Sequence, residues 1–506
     1  MMLTRSKWIL YFHILYFTLL MFWGILYYYE NNSSSSSLFF SLVLFILFLV
    51  LYFKVENILN YNIFTFWLRP SYIFLFSLII VNLQTIINVI LGYETIGFYL
   101  GTTRYSKFLG EAYYLALMAI SSFIYGNALY TKKQKSYSYS KYWGVYFWVI
   151  LTIVSFVLFV ANIDIISFIT GLDYKGSGGY DRVTNSSDRW ETIFDTLLTI
   201  TIAVVTYNHS NDTRKWSILR YIKIIPFPLL LATMIYILLR LLSGDRGMAL
   251  YTILLYVYSY IYLSGLKIKL RYLIAVLFTG AFFLTLLNYI RGYGVNQSFT
   301  EKISRAFDDV TMFVKKEDTK TISVFTQELA NSVNCNFISI HDIETSLTDY
   351  KYGIYNFCEI LGGVPGAATV CKKILGIDLY EYSTTEYITI SFYGKHYPIG
   401  LGTTAVAAIY LDFGLLGVII GFIIIGSFFK FVDEKVVNKK NPSIVLLIIL
   451  LKVTSMSIYI PRSSFSWFLS RIIYILIVFF VLNVFVKTIK YVLSKGKWEK
   501  QKNISF

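Results

Sequence analysis

Trp8-Ile-Leu-Tyr-Phe-His-Ile-Leu-Tyr-Phe-Thr-Leu-Leu-Met-Phe-Trp-Gly-Ile-Leu-Tyr-Tyr-Tyr29 decides the fold class. The run carries no charged residue and is long enough, as a helix, to cross a hydrocarbon core of roughly 30 Å. Arg5 and Lys7 precede it and no small-residue cleavage site follows, which suits a retained helix rather than a signal peptide. Runs of the same kind recur at about 38–53, 71–92, 111–130, 142–163, 190–207, 224–243, 248–265, 272–290, 414–432, 443–460 and 472–492. The pattern predicts an all-α polytopic membrane protein of about 12 transmembrane helices, with both termini on one side. Composition agrees: of 506 residues 56% are hydrophobic and 15% charged, with a mean hydropathy of +0.60. Soluble domains carry about 25% charged residues to clothe their surface. An ordinary soluble enzyme and a disordered chain are both excluded.

The net charge of +16 does not mark a nucleic-acid binder. No basic helix with interleaved aromatics carries it. The basic residues collect in loops of one side, Lys54, Arg69, Lys132, Lys133, Arg214, Lys215, Lys267, Lys269, Lys430 and Lys435 among them. Short loops of the other side hold only Arg104, Lys107, Lys175, Arg182, Arg189, Arg246 and Arg462. By the positive-inside rule both termini are cytoplasmic, in a bacterial inner (cytoplasmic) membrane. Within the spans, charge is nearly confined to Arg240 and Lys452.

Three parts follow: a membrane bundle of about nine spans over 1–290, an extracytoplasmic cap loop over 291–403, and about three further spans with a basic cytoplasmic tail over 404–506. A loop as long as the cap is uncommon and usually functional. Residues 299–331 have helical spacing with charges on one face. Residues 352–377 are apolar but broken by Gly362-Gly363, Pro365 and Gly366, which predicts short amphipathic helices at the outer interface. Residues 399–413 read as a re-entrant piece or a loop. Cys335, Cys358 and Cys371 all fall in the cap without a CxxC spacing, so no zinc or iron–sulfur site is expected. One disulfide and three free thiols fit equally well.

Arginine in or beside a span is costly and points to function. Arg246 sits in the tight turn Ser243-Gly-Asp-Arg-Gly247, with Arg240 a helical turn earlier. Arg291 opens Arg291-Gly-Tyr-Gly294 where the ninth span meets the cap, and Arg462 follows Pro461 at the outer end of the eleventh. Guanidinium pairs bidentately with phosphate, and the phosphates available at an outer leaflet are lipid headgroups and lipid-linked diphosphates. Such arginines could neutralise a diphosphate leaving group, as glycosyl transfer from a polyprenyl diphosphate sugar requires. The alternative for each is snorkelling to headgroups. The acceptor hydroxyl needs a base. His13 lies in a span and His209 is cytoplasmic, leaving His341 and His396. His396, in Phe392-Tyr-Gly-Lys-His-Tyr-Pro398 just before the chain re-enters the membrane, is better placed, with Tyr397 beside it to meet substrate. Glu381, Glu386 and Asp412 are rival bases. Residues 30–37 hold no paired carboxylates for a metal, and no Walker loop, GxSxG or HExxH occurs, so neither metal nor cofactor is expected.

The stretch Gly400-Leu-Gly-Thr-Thr-Ala-Val-Ala-Ala-Ile-Tyr-Leu-Asp-Phe-Gly-Leu-Leu-Gly417 resembles the C-terminal signature of bacterial O-antigen polysaccharide polymerases, the Wzy family. There a glycine-rich stretch precedes an Ala- and Tyr-containing turn, Phe-Gly-x-x-Gly and a transmembrane helix. The Gly-Asp-Arg-Gly247 turn is similar to one that opens a span in that family and in O-antigen ligases. The resemblance marks Tyr410 and Asp412 as substrate-binding candidates alongside Arg240, Arg462 and Tyr397. The acidic residue that often precedes the signature tyrosine is replaced here by Ala407-Ala408-Ile409, so its role passes to Asp412 or is dispensable. The family implies metal-independent transfer of a growing glycan from undecaprenyl diphosphate onto a lipid-linked repeat unit at the outer face. Its expected partners are undecaprenyl-diphosphate-linked oligosaccharide, the lipid bilayer and a chain-length-determining copolymerase. The competing readings are a ligase, which fits the same cap and turn, and a lipid-linked oligosaccharide flippase. A flippase is expected to carry charges in several spans and short loops throughout. A mere membrane anchor would not require Arg246 or Arg291.

Overall fold

The structure is a computed structural model that describes residues 2–29, 35–59, 67–91, 108–129, 142, 144–165, 186–212, 215–243, 246–265, 326–379, 381–395, 400–437 and 443–504. Regular structure among these residues is helical throughout. The first part holds α1 (Met2–Tyr29), α2 (Ser35–Leu59), α3 (Pro70–Ile90), α4 (Leu109–Leu129), α5 (Val145–Ala161), α6 (Ser186–His209), α7 (Ile218–Ile224), α8 (Phe227–Ser243) and α9 (Arg246–Ser264). Short helices follow: α10 (Gln327–Ala330), α11 (Asn334–Glu344), α12 (Ile354–Leu361), α13 (Ala367–Val370) and α14 (Thr384–Tyr393). The chain closes with α15 (Ala405–Val437), α16 (Ile444–Met456) and α17 (Phe465–Ile504).

Six described helices are long and apolar enough to cross a membrane, and α7 with α8 makes a seventh if their 105° bend is one broken span. The bend falls at Pro226, where the chain cannot continue a helical hydrogen-bond ladder. The membrane run expected from 224 therefore starts at Phe227. α5 and α16 are apolar but shorter. α4 and α6 fill two further expected places without matching them in hydropathy. The reason is position. α4 is buried on nearly every side, so it can carry Glu111, Ser121, Ser122 and Asn127 without exposing them to lipid. The expected span at 272–290 lies outside the described residues, as does 299–325 of the cap.

α4 and α15 run against each other at backbone contact. A Cβ on Gly126 would lie 2.1 Å from the Ile423 carbonyl oxygen, and one on Gly426 2.1 Å from that of Phe123. Small residues permit this approach in membranes, where packing rather than hydrophobicity drives helix association. Aromatic rings fill the surroundings: Tyr16 stacks on Tyr125 at 4.0 Å, and Phe74 lies 4.7 Å from Phe123 and 4.4 Å from Phe429. α15 begins at Ala405 rather than near 414, so residues 405–413 are its first, kinked portion and no separate re-entrant piece. The kink is at Gly414, with φ 64°, where a Cβ would press within 3.1 Å of the Tyr350 ring.

Two polar layers orient the bundle. Tyr27 at the end of α1 hydrogen-bonds Tyr410 near the start of α15 at 2.8 Å, and Ser464 and Ser466 at the start of α17 donate to Glu359 of α12. That end is the cap face. At the other, Glu56 of α2 takes Lys430 at 2.5 Å and Arg69 at 3.4 Å, while Asp433 accepts from the backbone N–H and hydroxyl of Ser71. Arg69 and Lys430, expected as loop cations, are thus buried in a balanced ionic cluster that locks α2, α3 and α15 together. The beginning of α1 and the end of α17 both lie at this second face.

Candidate active site

The polar residues of the cap face are organised by α6. Glu191, Thr192 and Asp195 lie within about one helical turn of one another and reach three neighbouring helices. Glu191 Oε1 accepts from Arg240 Nε at 2.5 Å and from the Tyr236 hydroxyl at 2.6 Å, and its Oε2 takes a second guanidinium N–H. This fork binds the end of α8. Asp195 holds Lys452 of α16 at 2.6 Å. Arg471 of α17 reaches Thr192 Oγ1 at 3.5 Å and lies 5.1 Å from the Trp467 ring. The spans therefore carry Glu191, Asp195 and Arg471 besides Arg240 and Lys452, more interior charge than the sequence reading allowed. Most of it is self-neutralised.

The cap docks through a second network. Asp412 is fully buried and accepts from the backbone N–H groups of Tyr355 and Asn356, at 3.4 and 2.8 Å, and from the Asn356 side chain. It caps the start of α12, where unpaired N–H groups favour an anion. Glu359 Oε1 takes the Thr384 N–H at 3.1 Å and hydroxyl at 2.9 Å, so one carboxylate ties α12 to α14 and α17. Within α11, His341 Nδ1 sits 2.8 Å from Asp342 Oδ1, with Phe108 edge-on to the ring. The other Asp342 oxygen accepts from Tyr387 at 2.9 Å and from Ser391. Burial and the Asp342 charge hold the Tyr387 phenol above its usual range, so it remains a donor. If Asp342 takes the Nδ1 proton, Nε2 is left as the basic nitrogen.

The expected site residues divide as follows. Arg240, Arg462, Tyr410 and Asp412 are described, and all four lie at the cap face. Arg240 is committed to Glu191, Tyr410 to Tyr27, and Asp412 to α12. Arg462 ends a 3-10 turn, Ile460–Arg462, and its charge reaches the buried Cys335 thiol, which burial nevertheless pushes up to about 12. Arg246 opens α9 at the same face, its side chain outside the described residues. Arg291, His396 and Tyr397 also lie outside them. Of the rival bases, Glu381 is exposed and Glu386 stands in the first turn of α14. The three cysteines are free and buried, Cys358 and Cys371 sharing a small apolar cluster with Leu379. Among the described residues no three His, Cys, Asp or Glu side chains converge. Sequence reading missed Arg471, which stands just before the run read as the last span. It passed over the His341–Asp342 pair, whose adjacency in sequence was the available signal.

A helical bundle embedded in the membrane, with a helical cap docked on one face and cations gathered beneath it, defines an integral membrane protein built to handle a substrate at that face. The family model for O-antigen polysaccharide polymerase Wzy matches residues 10–495, and the chain belongs to that family. It is a glycosyltransferase-type polymerase of oligosaccharide repeat units that acts in the membrane on lipid-linked substrates. No curated protein and no solved structure matches the chain.

Proposed function

We propose that the growing glycan leaves undecaprenyl diphosphate and joins the sugar of an incoming lipid-linked repeat unit, at the cap face and on the outer side of the inner membrane. Membership of the polymerase family over 10–495 carries this reading. The gathering of Arg240, Lys452, Arg462 and Arg471 at the cap face supports it, since a departing diphosphate needs positive charge. Arg246 and Arg291 stabilise the leaving diphosphate without metal, and His396 removes the acceptor proton. His341 is the second candidate base because Asp342 orients it. Arg462 and Tyr397 contact the substrate. Arg240, Tyr410 and Asp412 act by holding the helices that shape the site. The termini face the cytoplasm, and a copolymerase sets chain length.

The cell-surface glycan of a deletion strain tests the reading. A single repeat unit on the final acceptor is the expected result. Lipid-linked polymer left unattached would indicate a ligase, and units trapped inside the cell a flippase.

A further inference from the structure

Arg471 differs from the other two cations packed against α6. Glu191 neutralises Arg240 and Asp195 neutralises Lys452, but Arg471 has no carboxylate partner among the described residues. Its contacts are one long bond to Thr192 and the face of Trp467. Neither offsets a full charge in the apolar half of a bundle, where an unmatched guanidinium is costly. The side chain is half-buried, so it remains open to a ligand. Directly below it a shallow groove runs between α16 and α17, lined by Ile448, Ile449, Lys452, Ile472, Ile475 and Leu476. Ile475 lies one turn from Arg471 along α17. Lys452, its only charged wall, is already neutralised by Asp195, so to a guest the groove is apolar with one free positive charge at its mouth.

We infer that this groove takes the isoprenoid chain of a polyprenyl diphosphate and that Arg471 binds its diphosphate. The inference rests on the polymerase reading and adds to it a docking place for the lipid carrier. The chemistry is matched at both ends. A branched hydrocarbon chain suits a sideways-open strip of isoleucine and leucine, and a diphosphate supplies the two or more acceptors that a guanidinium fork can engage. A phospholipid phosphate offers fewer acceptors and a single phosphate.

The test uses the purified full chain in nanodiscs, titrated with undecaprenyl diphosphate. Arg471→Gln should weaken binding by roughly tenfold to a hundredfold, the range for losing charge-assisted hydrogen bonds. Arg471→Lys should lose less, keeping the charge without the fork. Ile475→Trp, which fills the groove, should weaken undecaprenyl diphosphate while leaving geranyl diphosphate binding unchanged. A thermal melt establishes that each variant is folded. Wild-type affinity in folded Arg471→Gln overturns the assignment and leaves the polymerase reading intact. An equal loss for phosphatidylglycerol makes Arg471 a general lipid anchor and also overturns it. If the wild-type protein itself fails to bind undecaprenyl diphosphate, the donor assigned to the polymerase falls, a different result from either.

Discussion

At Glu191 two carboxylate oxygens receive three donors, two from Arg240 and one from Tyr236, in a part of the bundle with little access to water. Removing one member of such a buried pair strands the other charge, at a cost of about 3–5 kcal/mol. Arg240→Ala should therefore lower the thermal unfolding temperature of the purified protein, and Arg240→Met with Glu191→Met should restore most of it. Unchanged stability with lost polymer would instead return Arg240 to direct substrate binding. Asp412→Asn keeps an acceptor oxygen for the N–H groups of α12, so it should retain most stability and polymer, whereas Asp412→Ala should expose the cap to protease. An Asp412 that served as base would lose activity in both variants, by about 10²–10⁴-fold. Arg240 was legible as a functional residue because a charge at a span end is conspicuous. Its partner was not, since Glu191 lies 49 positions away and hydropathy says nothing about which helices touch. Asp412 looked chemical for the same reason, while the helix it caps begins more than fifty positions earlier.

Between elements, the contact of α4 with α15 sets the strictest demand. The atoms facing Gly126 and Gly426 are backbone carbonyls, which cannot swing aside as a side chain would. Gly126→Val should force the helices apart and abolish the monodisperse, detergent-purified protein, as read by size-exclusion chromatography; a normal elution profile would show that the helices pack elsewhere. The long apolar runs revealed most helices directly, and the Gly362-Gly363, Pro365 and Gly366 breaks announced α12 and α13. Three features were illegible. Pro226 was absorbed into an apolar run although it turns the chain by 105°. Gly414 suggested a helix start although α15 passes through it with a kink. α4 and α6 are polar for spans because protein rather than lipid surrounds their polar faces, and periodicity within one helix cannot report its neighbours.

For the whole molecule, the two termini and the Glu56–Arg69–Lys430–Asp433 cluster share one face and the cap occupies the other. The proposed orientation makes Tyr352→Cys, at a position 80% exposed in the cap, reactive to an impermeant maleimide in intact cells. Leu219→Cys, 73% exposed on α7, should label only after permeabilisation. Background should be low, because all three native thiols are buried and that of Cys335 stays protonated at neutral pH. The reverse labelling would put the cap on the cytoplasmic side, where the lipid-linked donor is not displayed. The architecture, the polymerase family and the cap were legible because they rest on composition and on contiguous motifs. The seam along α6 was not, because it is assembled from four helices. The most direct measurement incubates the purified protein with a synthetic undecaprenyl-diphosphate repeat unit in EDTA and resolves the lipid-linked products by size. The expected result is a ladder rising by one repeat unit per step, with undecaprenyl diphosphate released at each. A ladder that forms only when magnesium or manganese is restored would contradict the metal-free mechanism, and no ladder with or without metal would contradict polymerisation by this chain.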